Sequence, residues 1–191
     1  MAFEAPVEII THEVKPSTGP LRLMLGGRDQ RLEGWTNVDL HEGQNVDIRA
    51  DISDLRAVCR DGSVLELYCS HCLEHFPHPR TLSVLKEWYR VLQPGGQIYI
   101  SVPDFDAMVK LYNKMGVLVP LIRNMLCGDQ GYDLAFHYNL FTYATLAALC
   151  VEAGFRDVKR LDRMPYGLLD CSALVDTVTD MPISLSIKAI R

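Results

Sequence analysis

Short apolar runs alternate along this chain with stretches whose apolar residues recur every three or four positions. From residue 21 onward, residues 21–25, 36–40, 46–48, 64–69 and 97–102 read as strands, rich in Leu, Val and Ile and bounded by turn residues. Helical spacing governs residues 80–92, where Leu82, Leu85, Trp88, Tyr89 and Leu92 share a face. Gln93-Pro94-Gly95-Gly96 is expected to stop that helix. Residues 105–115 carry a similar pattern, and residues 143–153 form a second strong helix ending at Gly154, ahead of a strand at 158–161. The last run, 183–190, alternates Ile183, Leu185, Ile187 and Ala189 with polar neighbours and predicts a half-exposed strand near a sheet edge. Strands followed by helices imply an α/β fold with a doubly wound, mostly parallel sheet.

Two segments fall outside this alternation. Residues 1–20 hold Pro6, Pro16, Gly19 and Pro20 and read as an irregular lead-in, so the fold is expected to begin at Leu21. Residues 115–138 contain an apolar helical stretch (117–126) and then Cys127-Gly128-Asp129-Gln130-Gly131, read as a lid-like insertion over the active edge of the sheet. Residues 21–191 are otherwise expected to form one domain.

Composition narrows the function classes. With 191 residues, 48% hydrophobic, the chain is long enough for one real core. Nineteen Lys and Arg against 24 Asp and Glu give a net charge of -5, and no basic block occurs, so a nucleic-acid partner is not expected. No apolar run approaches the roughly 18 residues a membrane span needs. The six cysteines are scattered in a chain too large to need staples, which favours reduced thiols and a cytoplasmic location.

The chemistry concentrates at strand ends. Leu25-Gly26-Gly27 closes the first strand and lets a ligand approach the main chain. Asp39 ends the second and can accept both hydroxyls of a ribose, while Asp51 follows the third and can accept from an adenine amino group. Three such groups at successive strand ends converge on one crevice. Only eight residues, 28–35, join the first two strands, too few for a full crossover helix. A nicotinamide enzyme would require G-x-G-x-x-G opening such a helix.

At these residues the chain resembles the class I, Rossmann-like SAM-dependent methyltransferases, in particular a small type 11-like group. The likeness runs through residues 21–27 and 34–40, Ala50-Asp51-Ile52, residues 70–76, Leu92-Gln93-Pro94-Gly95-Gly96 and Ala153-Gly154-Phe155. It implies a seven-stranded sheet and S-adenosyl-L-methionine (SAM) as cofactor; the shortened first crossover departs from the family's pattern. By that resemblance Gly26 and Gly27 contact the methionine part of SAM; Arg28, which departs from the family's loop, reads either as a partner for the SAM carboxylate or as a solvated surface arginine. Asp39, with Leu40 beside it, holds the ribose, Asp51 and Ile52 flank the adenine, and Ser70 and His71 face the methyl-transfer position. His71 and His137 are the candidate bases. The acceptor expected is a small molecule or glycan methylated on O or N, and a homodimer is allowed.

Two other classes remain. The reduced glycine loop suits a non-catalytic module of the same fold, acting as a regulator or assembly partner. The segment 69–78 contains a C-x-x-C (Cys69, Cys72) and His71, His75 and His78, which raises a metal-dependent hydrolase or a redox protein. Cys69 belongs to a buried-looking strand and no second ligand pair of the usual spacing occurs, so no metal is expected. His75 reads as a hydrogen-bonded structural histidine, and Trp35 and Trp88 as core residues.

Overall fold

The computed structural model describes residues 10–11, 20–168, 170–176 and 180–191. Within the expected lead-in, Ile10–Thr11 forms a short strand, β1, and residues 1–9 and 12–19 lie outside the described residues. The other strands are β2 (Leu21–Leu25), β3 (Thr36–Asp39), β4 (Ile48–Arg49), β5 (Val64–Ser70), β6 (Leu92–Pro103), β7 (Arg156–Leu161) and β8 (Ser184–Ile190). They form one sheet in the order β1-β4-β3-β2-β5-β6-β8-β7. Strands β4 to β6 of that order are parallel, and β8 runs antiparallel to both β6 and β7. The seven strands implied by the resemblance are thus present, and β1 adds an antiparallel edge beside β4.

One face of the sheet carries helices α1 (Thr81–Val91) and α4 (Tyr143–Ala153), which pack on each other as well as on the strands. Leu85, Trp88 and Val91 of α1 and Leu146 and Cys150 of α4 sink into a continuous core with Leu23, Leu67, Ile98, Ile100, Leu185 and Ile187. Trp88 is fully buried, and its indole N–H finds the Ile52 carbonyl at 2.9 Å. The opposite face holds Met24, Tyr68 and Tyr99, covered by Leu32, Trp35 and Met164. Both tryptophans therefore lie in the core, as expected from the sequence.

The short first crossover has no helix, and a buried side chain replaces it. The Asn37 amide reaches the carbonyls of Arg28, Gln30 and Asn45 at 2.9, 3.2 and 2.9 Å, which ties residues 28–35 to the end of β3. The remaining helices, α2 (Phe105–Met115) and α3 (Pro120–Cys127), pack together over the carboxyl ends of the strands and bury Met108, Leu111 and Ile122.

Three strand expectations change. The run at 183–190 lies next to the edge, between β6 and exposed β7, but it is buried and not half-exposed. Two of the polar positions in 183–190 are buried serines, with Ser186 bonded to Ser101 and Ser184 to the Cys171 carbonyl, so small hydroxyls under a covering segment imitate a solvent face, and the third, Lys188, is half-buried. The 93–96 turn belongs to β6, which begins at Leu92 because Val64 pairs with Leu92 before the register shifts. The third strand also moves, from 46–48 to Ile48–Arg49.

Asp104 joins sheet to helix and offers a test of this packing. At 2% exposure it caps α2, one oxygen accepting from the N–H groups of Asp106 and Ala107 and the other receiving Arg160 at 2.6 Å. Asp104→Ala removes the cap and the partner of a half-exposed arginine, and about 2 kcal/mol of stability is expected to go, measured by urea unfolding.

Candidate active site

Strands β2 and β5 are neighbours whose connections leave in opposite directions along the sheet, and at such a switch point the carboxyl ends open a crevice. Here the crevice is a cavity of about 620 Å³, within the range of small-molecule sites. Gly26, Gly27 and Arg28 form one wall, Ser70, His71 and His75 the next, and Met125, Tyr132 and His137 a third. The third wall comes from the stretch at 115–138. Asp170 and Cys171 close the remaining side.

The structure brings together Gly26, Gly27, Arg28, Ser70, His71 and His137 of the residues expected from the sequence. Asp39, Leu40, Asp51 and Ile52 do not line the cavity, though Asp39 and Ile52 stand beside its glycine wall. Asp39, 4% exposed at the end of β3, accepts the Arg28 N–H at 2.9 Å and the His41 N–H at 2.8 Å. A carboxylate has about four acceptor positions, so it orders the loop and keeps capacity for a further donor. Asp51 accepts from the Ser53 N–H at 2.8 Å. Ile52 is buried in the main core, and Leu40 is half-buried.

Gly26 is glycine for a reason other than ligand approach. Its φ is +69°, and a Cβ there would stand 2.1 Å from the Cys72 sulfur. Cys72 fills that corner, its thiol directed at the carbonyls of Leu25, Gly26 and Ser70. Arg28 places its guanidinium over the Tyr132 ring, 5.3 Å from the centroid, a contact between the glycine loop and the third wall.

The turn after β5 carries the densest chemistry. His71 adopts φ +53°, and its N–H donates to Ser101 across the sheet. A single 3-10 turn, Leu73–His75, then buries Leu73 in the core and drives Glu74 inward to 0% exposure. Three imidazoles surround that carboxylate: His71 Nδ1 lies 3.2 Å and His137 Nε2 4.0 Å from Glu74 Oε1, and the rings of His75 and His137 meet edge to face at 4.7 Å. Burial pulls the Glu74 carboxyl upward, yet His71, His75 and His137 outweigh it and leave it below its ordinary range. Burial likewise lowers the His137 pKa, against the opposing pull of Glu74. Glu74 received no role from the sequence. Its only signal was an acid between Leu73 and Phe76 with histidines at both flanks. Tyr68 and Asp170, joined at 2.8 Å beside the cavity, also passed unnoticed because 102 residues separate them.

The cysteines do not form a redox pair. All six are free, Cys69 is buried, and the Cys72 thiol is pushed well above its usual range by Cys69 and by burial, the opposite of a reactive C-x-x-C. Burial pushes Cys150 up to about 12. Alkylation of the native protein is expected to mark exposed Cys127 first and to spare Cys69 and Cys150 until the chain unfolds, as peptide mass mapping would report.

A family model described as a methyltransferase domain matches residues 47–160, more than half of the chain. No curated protein matches. Among solved structures the chain is similar to a SAM-dependent methyltransferase from Archaeoglobus fulgidus, at 17% identity and TM-score 0.58 over 92% of this chain and 88% of that one. A SAM-dependent methyltransferase from Methanosarcina mazei matches at 17% identity and TM-score 0.57 over 92% and 94%. The 1,6-didemethyltoxoflavin-N1-methyltransferase of Burkholderia thailandensis, solved with 1,6-didemethyltoxoflavin and S-adenosylhomocysteine, matches at 16% and 0.54 over 90% and 71%. At these identities the likeness speaks for the fold.

Proposed function

The chain belongs to the methyltransferase domain family and has the class I fold of SAM-dependent methyltransferases, and on that premise we propose that it moves the methyl group of SAM to O or N of a small molecule or glycan. The observation that carries this reading is the meeting of the Gly26-Gly27-Arg28 corner with Ser70 and His71 in one cavity at the switch point, with Asp39 ordered directly behind the corner.

The residues present fit SAM. Arg28 offers a cation for a carboxylate, and Asp39 keeps acceptor capacity for ribose hydroxyls. Asp51 retains an oxygen for an amino group beside Ile52, which lies 3.9 Å from the position of a Gly26 Cβ. Bound SAM supplies a methyl group on a sulfonium, already activated for displacement. The protein's task is then to hold the acceptor atom in line and exclude water, and such positioning is worth about 7 to 11 kcal/mol. Met125, Tyr132, Ala135 and Leu174 give the acceptor side apolar walls.

Of the two expected bases, His71 has both nitrogens engaged, Nε2 with Ser184 at 2.8 Å and Nδ1 against Glu74. Its service is to shape the acceptor side. His137 commits only Nδ1, to the Met125 carbonyl, and its Nε2 faces Glu74. The six free thiols fit a reducing cytoplasm, and among the described residues no helix is long and apolar enough to cross a membrane.

Isothermal titration with S-adenosylhomocysteine (SAH) tests this function. One site per chain, with a Kd on the order of micromolar, is expected. Absence of binding at millimolar ligand would overturn the reading and favour the non-catalytic module. Incubation with methyl-labelled SAM and O- and N-nucleophile acceptors then identifies the acceptor by the labelled product.

A further inference from the structure

One donor atom from each of Glu74, His75 and His137 lies within 4.8 Å of the other two. Glu74 is fully buried, and among the described residues no hydrogen bond of good geometry reaches its carboxylate oxygens, His71 Nδ1 lying 3.2 Å away. An ionised group in that position requires a compensating positive charge.

The hydrogen bonds of the neighbouring rings fix where their protons are. His75 Nδ1 lies 3.0 Å from the Phe136 carbonyl, and His137 Nδ1 lies 2.9 Å from the Met125 carbonyl. A carbonyl oxygen only accepts, so Nδ1 carries the proton in both rings and Nε2 of each neutral ring keeps a lone pair. For His137 that lone pair faces Glu74 Oε1 at 4.0 Å, too far for a hydrogen bond. His71 stands on another side of the carboxylate, its Nδ1 3.2 Å from Glu74 Oε1 and its Nε2 on the Ser184 hydroxyl. The Nε2 atoms of His75 and His137 and the Glu74 carboxylate thus surround one gap of a size that a cation can fill. Donation of one ring N–H to a main-chain carbonyl, aiming the other nitrogen, is also how histidine ligands are oriented around metals.

We propose that Glu74, His75 and His137 form a binding site for one divalent transition-metal ion of the zinc or iron(II) class at the wall of the cavity. Two imidazoles and one carboxylate suit that class better than magnesium or calcium, which favour all-oxygen sites. Zinc bonds of about 2.0–2.2 Å place neighbouring donors roughly 3 to 3.6 Å apart, so the present spacing needs a contraction of about 1 Å. The segment 69–78 does not announce this site on its own, because its cysteines serve packing and the second histidine ligand, His137, lies far along the chain. His75 and His137 both line the cavity, so the ion takes its remaining ligands from there. On the methyl-transfer reading, and only on it, one of those ligands is an acceptor oxygen, whose hydroxyl the ion acidifies.

Full-length protein, stripped with a chelator and free of SAM and acceptor, would be titrated with Co²⁺ and followed by absorption. One equivalent with a ligand-field spectrum and no thiolate charge-transfer band is expected, and Zn²⁺ should displace it. His75→Asn and His137→Asn, checked for folding by circular dichroism, should each weaken binding by about 100-fold or more. No ligand-field spectrum, a thiolate band, or unchanged affinity in both variants would overturn the site. Because nothing in this titration requires methyl transfer, its failure leaves the proposed function standing, and failure of SAH binding leaves the metal site standing.

Discussion

Gly26→Val is expected to destabilise the chain by about 3 kcal/mol or more, enough to unfold a large share of a marginally stable domain. Two independent effects add. The φ of +69° belongs to the left-handed region, where a β-branched residue is an outlier at a cost of about 1–2 kcal/mol. The new Cβ would also overlap the Cys72 sulfur at 2.1 Å, and Cys72 has no room to yield, being directed at three carbonyls of the two central strand ends. Overpacking of that kind costs about 1–3 kcal/mol. The two parts can be separated with Gly26→Ala and Cys72→Ala alone and together. The double variant should recover the steric part and leave the backbone part, giving a coupling of about 1 kcal/mol or more in urea unfolding. A purely additive cycle would mean that the corner tolerates a Cβ.

Asp39→Ala is expected to lower SAH affinity by about 100-fold, the equivalent of roughly 2.7 kcal/mol. The carboxylate acts in two ways. It accepts the Arg28 N–H, which holds the glycine loop against β3, and its spare acceptor positions are those offered to the ribose. Hydrogen bonds to charged groups are worth about 1.5–3 kcal/mol, so the loss matches one or two of them. Asp51→Ala should cost less, about tenfold, because Asp51 orders only its own turn through Ser53 and offers one oxygen. Calorimetric titration of both variants against the parent checks the ranking, and an Asp39→Ala protein that binds SAH as tightly as the parent would remove the ribose assignment.

The parts of this fold that announce themselves in the sequence are those fixed by neighbours in the chain. Helices Phe105–Met115 and Tyr143–Ala153 appear with the ends expected, since their stops are local: the Asp104 cap and left-handed Gly116 for one, the reciprocal Thr142 and Thr145 cap and Gly154 for the other. The glycine corner and the acid at the end of β3 were legible for the same reason. What stayed hidden depends on partners far away. Nothing near residues 183–190 tells that their serines face Ser101 and Cys171 instead of water. Glu74 acquires its surroundings from a 3-10 turn and from His137, 63 positions on, and its neighbour Tyr138 donates to the Glu74 carbonyl at 2.8 Å. The meaning of Asn37 depends on a loop too short for a helix, which only the folded chain fills with hydrogen bonds.

A crystal structure grown with SAH is the most direct test of the site at the switch point. The expected density lies in the cavity between Gly26-Gly27 and Ser70-His71, with the ribose within hydrogen-bond reach of the Asp39 carboxylate and the amino acid end beside Arg28. Density placed elsewhere on the chain, with the Asp39 carboxylate still bonded only to the Arg28 N–H and to the N–H and ring of His41, would contradict it.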